Sequence, residues 1–78
     1  MSLDDIKLKI HIAFANMGLF IDSDDTPLEE IIVDSLEFVS LIIEIESVLD
    51  FEFPDELLSL DKIGTINTLS IALNEIIN

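Results

Sequence analysis

The first 17 residues carry apolar side chains at the spacing of a helix. These side chains recur at intervals of three and four positions: Leu3, Ile6, Ile10, Ala13, Phe14 and Met17. Side chains at these intervals share one face of an α-helix. Gly18 follows, and glycine is a common residue just after a helix end. The pattern predicts a first helix that ends near Gly18.

A second helical pattern begins at Asp34. Asp34 is suited to cap this helix, and Glu37, three residues later, is suited to complete a capping box. Five apolar side chains form the predicted core stripe: Phe38, Leu41, Ile42, Ile45 and Leu49. Three more widen the apolar arc beyond one core face: Leu36, Val39 and Ile43. For these three, core packing and an exposed patch are equally open.

The segments around this helix complete the fold prediction. Residues 19–33 form a connection long enough to indicate a packed or functional loop. Residues 55–60 suit one or two short helical turns. Thr65 is suited to cap a last helix, whose apolar stripe is Ile66, Leu69, Leu73 and Ile76. The chain is therefore predicted to be all-α, a small four-helix bundle with three longer helices and one short one.

Length and composition narrow the class of protein. The chain has 78 residues, which suits one domain over 1–78, and no cysteine, which excludes disulfides and thiolate metal sites. Its beginning, MSLDD, is acidic where a signal peptide is basic, and no apolar run approaches the roughly 18 residues of a membrane span. A cytoplasmic monomer without a membrane span is expected.

The charge is strongly acidic. Three lysines face 17 acidic residues, for a formal net charge of −14. Such a surface repels nucleic-acid phosphates and anionic lipids, so basic protein surfaces are the expected partners. Disordered acidic chains are poor in aliphatic residues, whereas half of this chain is hydrophobic, which favours a folded domain.

Ser35 is the main candidate for chemistry. It lies in the first turn of the second predicted helix, where free backbone N–H groups and the helix dipole favour an anion such as a phosphate ester. Taken alone, a serine at this place is usually an ordinary polar residue. Its neighbours change this interpretation.

Residues 31–56, IIVDSLEFVSLIIEIESVLDFEFPDE, resemble the acyl carrier protein family. The resemblance lies in the Asp34-Ser35-Leu36 triplet at a helix start, the acidic helix after it and the later Pro54-Asp55 turn. It implies that Ser35 carries a covalent phosphopantetheine arm. The thiol of that arm holds acyl or aminoacyl groups as thioesters for enzymes of fatty-acid, polyketide or nonribosomal peptide biosynthesis. The chain itself is then no enzyme and holds no metal, although Asp34 is implied to help hold a transferase's magnesium.

The resemblance also implies partners and a docking surface. The partners are a phosphopantetheinyl transferase, an acyl- or aminoacyl-loading enzyme, and synthases or transferases with basic docking surfaces. Charge steering speeds encounters with such surfaces without requiring high affinity. The expected docking residues lie on the second helix: Leu36, Glu37, Val39, Ile43, Glu46 and Asp50. Glu44 is a further acidic candidate there.

Three departures from the family pattern favour a specialised carrier. Ile32 stands where the family commonly has glycine, and Ser40 and Ser47 stand where fatty-acid carriers often have acidic residues. The stretch between Pro54 and Thr65 is also slightly longer than in those carriers.

Other functions are weighed against the carrier. A hydrolase using Ser35 with His11, the only histidine, needs a preorganised pocket that so small a bundle seldom provides. A calcium loop from Asp22 fails, because Pro27 and Val33 occupy the places of its glycine and glutamate. The remaining alternative is an acidic helical interaction module without a prosthetic group.

Overall fold

The computed structural model describes residues 1–77, apart from the side chains of residues 60 and 61. It contains three long helices and short turns between them. The long helices are α1 (Leu3–Asn16), α2 (Ser35–Leu49) and α4 (Ile66–Ile77), and a single turn, α3, spans Leu60–Ile63. Two 3₁₀ turns lie at Leu28–Glu30 and Asp55–Leu57. Residues 1–77 contain no strand, so the prediction of an all-helical fold is confirmed.

Helix α1 ends near Gly18, as predicted. Ser2 caps it by accepting a 3.1 Å hydrogen bond from the N–H of Asp5. Gly18 has a φ of 73°, in the left-handed region, and Leu19 N–H donates back to Phe14 O at 2.9 Å. This closure satisfies a carbonyl that the helix end leaves free.

The core lies where α1 packs against α2 and α4. The long connection between α1 and α2 takes part in it, because Leu28 and Ile32 are fully or almost fully buried. Its predicted packing role is therefore confirmed. Within residues 1–77, no helix combines the length and the apolar content of a membrane span.

Hydrogen bonds attach residues 19–33 to α1 and to the start of α4. Leu28 N–H donates to Gly64 O at 2.8 Å. Asn67, the second residue of α4, donates its N–H to Asp24 O at 3.0 Å. His11 Nε2 of α1 lies 2.6 Å from Asp24 Oδ1. These contacts hold the segment that leads to Ser35 against the bundle.

Helix α4 corrects one core prediction. Thr65 caps the helix as expected, since its Oγ1 accepts from Thr68 N–H at 3.1 Å. Ile76, however, is 46% exposed and lies outside the core. The neighbouring Ile77 is half-buried and packs against the core. Ser70 is fully buried instead, and its hydroxyl donates to Ile66 O at 2.6 Å. This bond to the preceding turn explains how a hydroxyl is accommodated in the core.

Candidate functional site

Helix α2 starts with a reciprocal cap around Ser35. Asp34 has extended backbone, and its Oδ1 accepts from Glu37 N–H at 2.7 Å. Glu37 Oε1 in turn accepts from Val33 N–H at 3.3 Å. A capping box would use the N–H of the cap residue itself. The predicted box is therefore corrected by one residue, and the cap also holds the backbone that precedes Asp34.

This cap leaves Ser35 as an exposed first residue of the helix. The earliest N–H groups of a helix have no acceptor within the helix, and the dipole makes this end electropositive. A phosphate ester on Ser35 Oγ would lie in that field. The residues at this helix start therefore fit a group attached to Ser35 through a phosphate ester.

Ile32 has a packing role where the family commonly has glycine. Its side chain is 2% exposed and belongs to the core. Among residues 1–77 only Gly18, Asp50 and Gly64 have positive φ, so the backbone at Ile32 needs no glycine. The substitution anchors the segment before Ser35 rather than distorting it.

Two grooves adjoin Ser35. The first, of about 360 Å³, has polar groups of Asp34 and Ser59 beside the apolar side chains of Ile32 and Val33. The second, of about 300 Å³, is lined by the apolar side chains of Val39, Ile42 and Ile43. Three residues line both grooves: Ser35, Phe38 and Leu58.

The sequence patterns did not identify the residues that reach Ser35 from outside α2. Leu58 and Ser59 lie between the second 3₁₀ turn and α3. The one available signal was the extra length of the stretch between Pro54 and Thr65, which contains them. Val33 was also missed, although it directly precedes Asp34 and is 78% exposed.

The three apolar residues of α2 for which the sequence did not decide between burial and exposure are on its surface. Leu36 is 80% exposed, Val39 51% and Ile43 59%. Ser40 and Ser47 are exposed as well. Leu36, Ser40, Ile43 and Ser47 follow one another at intervals of four, three and four, so they form one uncharged stripe along the helix.

Acidic residues border this stripe on both sides. Glu37 and Glu44, seven positions apart, follow one edge, and Glu46 and Asp50, four positions apart, follow the other. Asp50 is exposed, in the left-handed conformation with φ 56°, and it ends the helix. The structure thus places an uncharged centre between two acidic edges.

Backbone hydrogen bonds hold the side chains of Glu37 and Glu46 in place. Both are half-buried, and Glu46 Oε2 accepts from Phe53 N–H at 2.7 Å. Neither carboxylate is a freely solvated charge, because each one accepts a backbone hydrogen bond. Glu44 is also half-buried, but no hydrogen bond involves its side chain among the described residues.

His11 lines neither groove beside Ser35 and instead contacts the connection between α1 and α2. Its Nε2 lies 2.6 Å from Asp24 Oδ1, on the connection between α1 and α2. Asp25, beside it, accepts from Asn67 Nδ2 at 2.6 Å. Across the described residues, no group of three or more acidic, histidine or cysteine side chains is arranged to hold a metal ion.

The family comparison agrees with this geometry. The family model for a phosphopantetheine attachment site matches residues 16–73, which include all of α2 and both grooves. No curated protein and no solved structure matches the chain significantly.

Proposed function

The chain belongs to the phosphopantetheine-attachment family, and we propose that it is an acyl carrier protein whose arm is attached to Ser35. The observation that carries the choice of residue is the position of Ser35. It is exposed as the first residue of a capped helix, and both grooves open beside it. In this proposal α3 is the short helix of a four-helix carrier domain that spans residues 1–78.

Each residue around Ser35 has a role that does not require catalysis by the chain. When attached, phosphopantetheine supplies a thiol that holds acyl groups as thioesters. Ser35 presents its hydroxyl to a transferase, and Asp34 keeps the helix start in place through Glu37 N–H. We assign to Asp34 a second role, in which the carboxylate helps to hold the transferase's magnesium.

The docking surface is proposed to be the exposed side of α2. Its uncharged stripe, with Leu36 and Ile43, suits a shallow apolar contact, and Val39 adds to it from one edge. The two acidic edges suit a partner with basic groups on both sides of that contact. Rim charges act chiefly on the rate of association, which suits a carrier that must leave each enzyme again.

We propose the partners that the family resemblance implies. They are a phosphopantetheinyl transferase, a loading enzyme for acyl or aminoacyl groups, and synthases or transferases with basic docking surfaces. The dedicated pathway is one of fatty-acid, polyketide or related biosynthesis. We place the protein in the cytoplasm as a monomer that is itself no enzyme.

An intact mass measurement tests the proposal. The chain is co-expressed with a broad-specificity phosphopantetheinyl transferase, and one added phosphopantetheinyl group, mapped to Ser35 by peptide fragmentation, is expected. A chain that stays unmodified under conditions that convert a known carrier would instead be an acidic interaction module. Attachment mapped to Ser40, Ser47 or Ser59 would overturn the assignment to Ser35.

A further inference from the structure

We propose that the exposed side of α1 is a second docking surface, which receives an amphipathic helix whose apolar ridge is flanked by carboxylates. The surface, called here the α1 surface, consists of three exposed apolar residues and the two lysines beside them: Leu8, Ile12, Ala15, Lys7 and Lys9. Its partner is opposite in charge to the enzymes proposed for α2, and binding there requires no arm on Ser35.

Helix α1 has apolar side chains on two opposite faces. One face is buried and forms part of the core: Ile6, Ile10, Ala13 and Phe14. On the other face Leu8 is 60% exposed and Ile12 42%, and Ala15 is exposed as well. Residues 8, 12 and 15 follow one another at intervals of four and three, so they form one stripe. Single exposed apolar side chains are common, whereas adjoining ones are typical of interaction sites.

Two lysines flank this stripe. Lys7 and Lys9 precede and follow Leu8, and successive helical residues point about 100° apart, so the two lysines lie on opposite edges. They are two of the three lysines in the chain, and both are half-buried. Among the described residues, neither one takes part in an ion pair. Although the chain has 17 acidic residues, both ammonium groups therefore remain available for the carboxylates of a partner.

The charge of the molecule is distributed unevenly around α1. Asp4 and Asp5 balance Lys7 and Lys9, so α1 is neutral and the whole net charge of −14 comes from the rest of the chain. Helix α4, which packs against α1, contributes only Glu75. An acidic-flanked helix would be repelled by the acidic sides of the molecule, whereas two unpaired lysines meet it at α1. Charge complementarity therefore selects this partner for this surface.

A partner on the α1 surface leaves α2 accessible. Helices α1 and α2 pack against each other through their buried faces, so their exposed faces point apart. The smallest dimension of the molecule is 20 Å, whereas electrostatic screening acts over about 8 Å at physiological salt. The carboxylates of α2 therefore act only weakly on a helix bound at α1, and the two surfaces can be occupied together.

Methyl NMR spectra of the full chain without an arm test this inference. The probes are two synthetic amphipathic helices with the same leucine ridge, one flanked by glutamates and the other by lysines. The glutamate-flanked peptide is expected to shift the methyl signals of Leu8 and Ile12. The lysine-flanked peptide is expected to shift those of Leu36 and Ile43 instead. Unchanged Leu8 and Ile12 signals with the glutamate-flanked peptide, or equal shifts with both peptides, would overturn the proposal.

Two pairs of variants locate the binding. Leu8→Gln should weaken binding of the glutamate-flanked peptide, whereas Leu36→Gln, at an exposed leucine of α2, should leave it unchanged. Lys9→Glu should raise the Kd of this peptide about fivefold at low salt, which corresponds to a strong exposed ion pair. Lys62→Glu makes the same change in net charge at an exposed position of α3 and should have a smaller effect. Equal effects within either pair would reject the α1 surface.

A dilution series of the chain alone separates a second copy from a different partner. The Leu8 and Ile12 signals should not move with protein concentration. Signals that do move would make this side of α1 an interface between copies of the chain and would reject the acidic-flanked helix as its partner. Attachment at Ser35 is measured separately by intact mass, so failure of the peptide experiment leaves the proposed function standing, and absence of an arm leaves the α1 surface standing.

Discussion

The N–H of Phe53 donates a 2.7 Å hydrogen bond to Oε2 of Glu46, so that a side chain of α2 holds the connection that follows the helix. Phe53 is 7% exposed, and its ring lies 5.3 Å from that of Phe51. Glu46 is thus a structural residue first, and reversal of its charge would confuse loss of docking with loss of folding.

Glu46→Ala should lower the free energy of unfolding by about 1–2 kcal/mol, because it leaves a nearly buried N–H without its acceptor. Glu46→Gln keeps an acceptor oxygen and should restore most of the loss. Urea denaturation measures both. Ser47→Ala, exposed on the same helix, is the control and should stay within about 0.5 kcal/mol of the parent. A loss in Ser47→Ala as large as that in Glu46→Ala would remove the explanation by this hydrogen bond.

Ser35→Ala should abolish phosphopantetheine attachment and leave the fold nearly unchanged, since Asp34 still caps α2 through Glu37 N–H. Intact mass and circular dichroism measure the two effects. Ser40→Ala is the matched control on the exposed side of the same helix, and it should be modified fully. A modified Ser35→Ala protein would disprove the assignment.

Glu44→Lys tests the acidic docking surface more cleanly than a change at Glu46. Its parent carboxylate has no hydrogen bond in the described residues, so the fold should tolerate the change. We expect slower phosphopantetheine transfer at low salt, with a deficit that shrinks as salt rises, because rim charges act on association rate.

Glu75→Lys provides the matched control for that experiment. It makes the same change in net charge at an exposed position of α4, away from the α2 surface. Its transfer rate should stay closer to the parent's at every salt concentration. If both variants slowed transfer equally, net charge rather than the α2 edge would account for the effect.

The two glycines with positive φ should respond differently to alanine. Gly18 has open space around the position of an added Cβ, so Gly18→Ala should cost about 1–2 kcal/mol for the left-handed backbone alone. At Gly64 the Cβ would meet Thr68 Oγ1 at 2.6 Å, and Thr68 Oγ1 also bonds Ile63 O. Gly64→Ala should therefore be the more destabilising substitution in denaturant unfolding. The reverse order would show that Thr68 moves away without cost.

Added potassium chloride should raise Tm. Three lysines face 17 acidic residues, so the carboxylates far outnumber the positive groups that could pair with them and most of them repel one another. Screening shortens the range of this repulsion from about 30 Å at 0.01 M to about 10 Å at 0.1 M salt. The double variant Glu29→Gln, Glu30→Gln should gain less from salt, because it carries less charge. A Tm that falls as salt is added would contradict this account.

Patterns within a few residues predicted the three long helices and several of their ends. Asp34, Thr65 and Gly18 act as caps or stops through bonds to residues within about one or two turns, so their roles are visible in the sequence. The resemblance around Ser35 identified the family for the same reason, since its motif is continuous. The partner of Glu37 was missed by one residue, because a cap signature does not specify which nearby N–H the carboxylate reaches.

Whether the apolar residues of α2 outside its predicted core stripe are buried was decided only by the tertiary structure. Leu36 and Ile43 are as apolar as Ile45, yet they are exposed while Ile45 is fully buried. Leu58 likewise comes to Ser35 from a connection far along the chain. Periodicity establishes which side chains of a helix share a face. Which of those faces is buried depends on the elements that pack against it. These elements are distant in the sequence, so no local pattern identifies them.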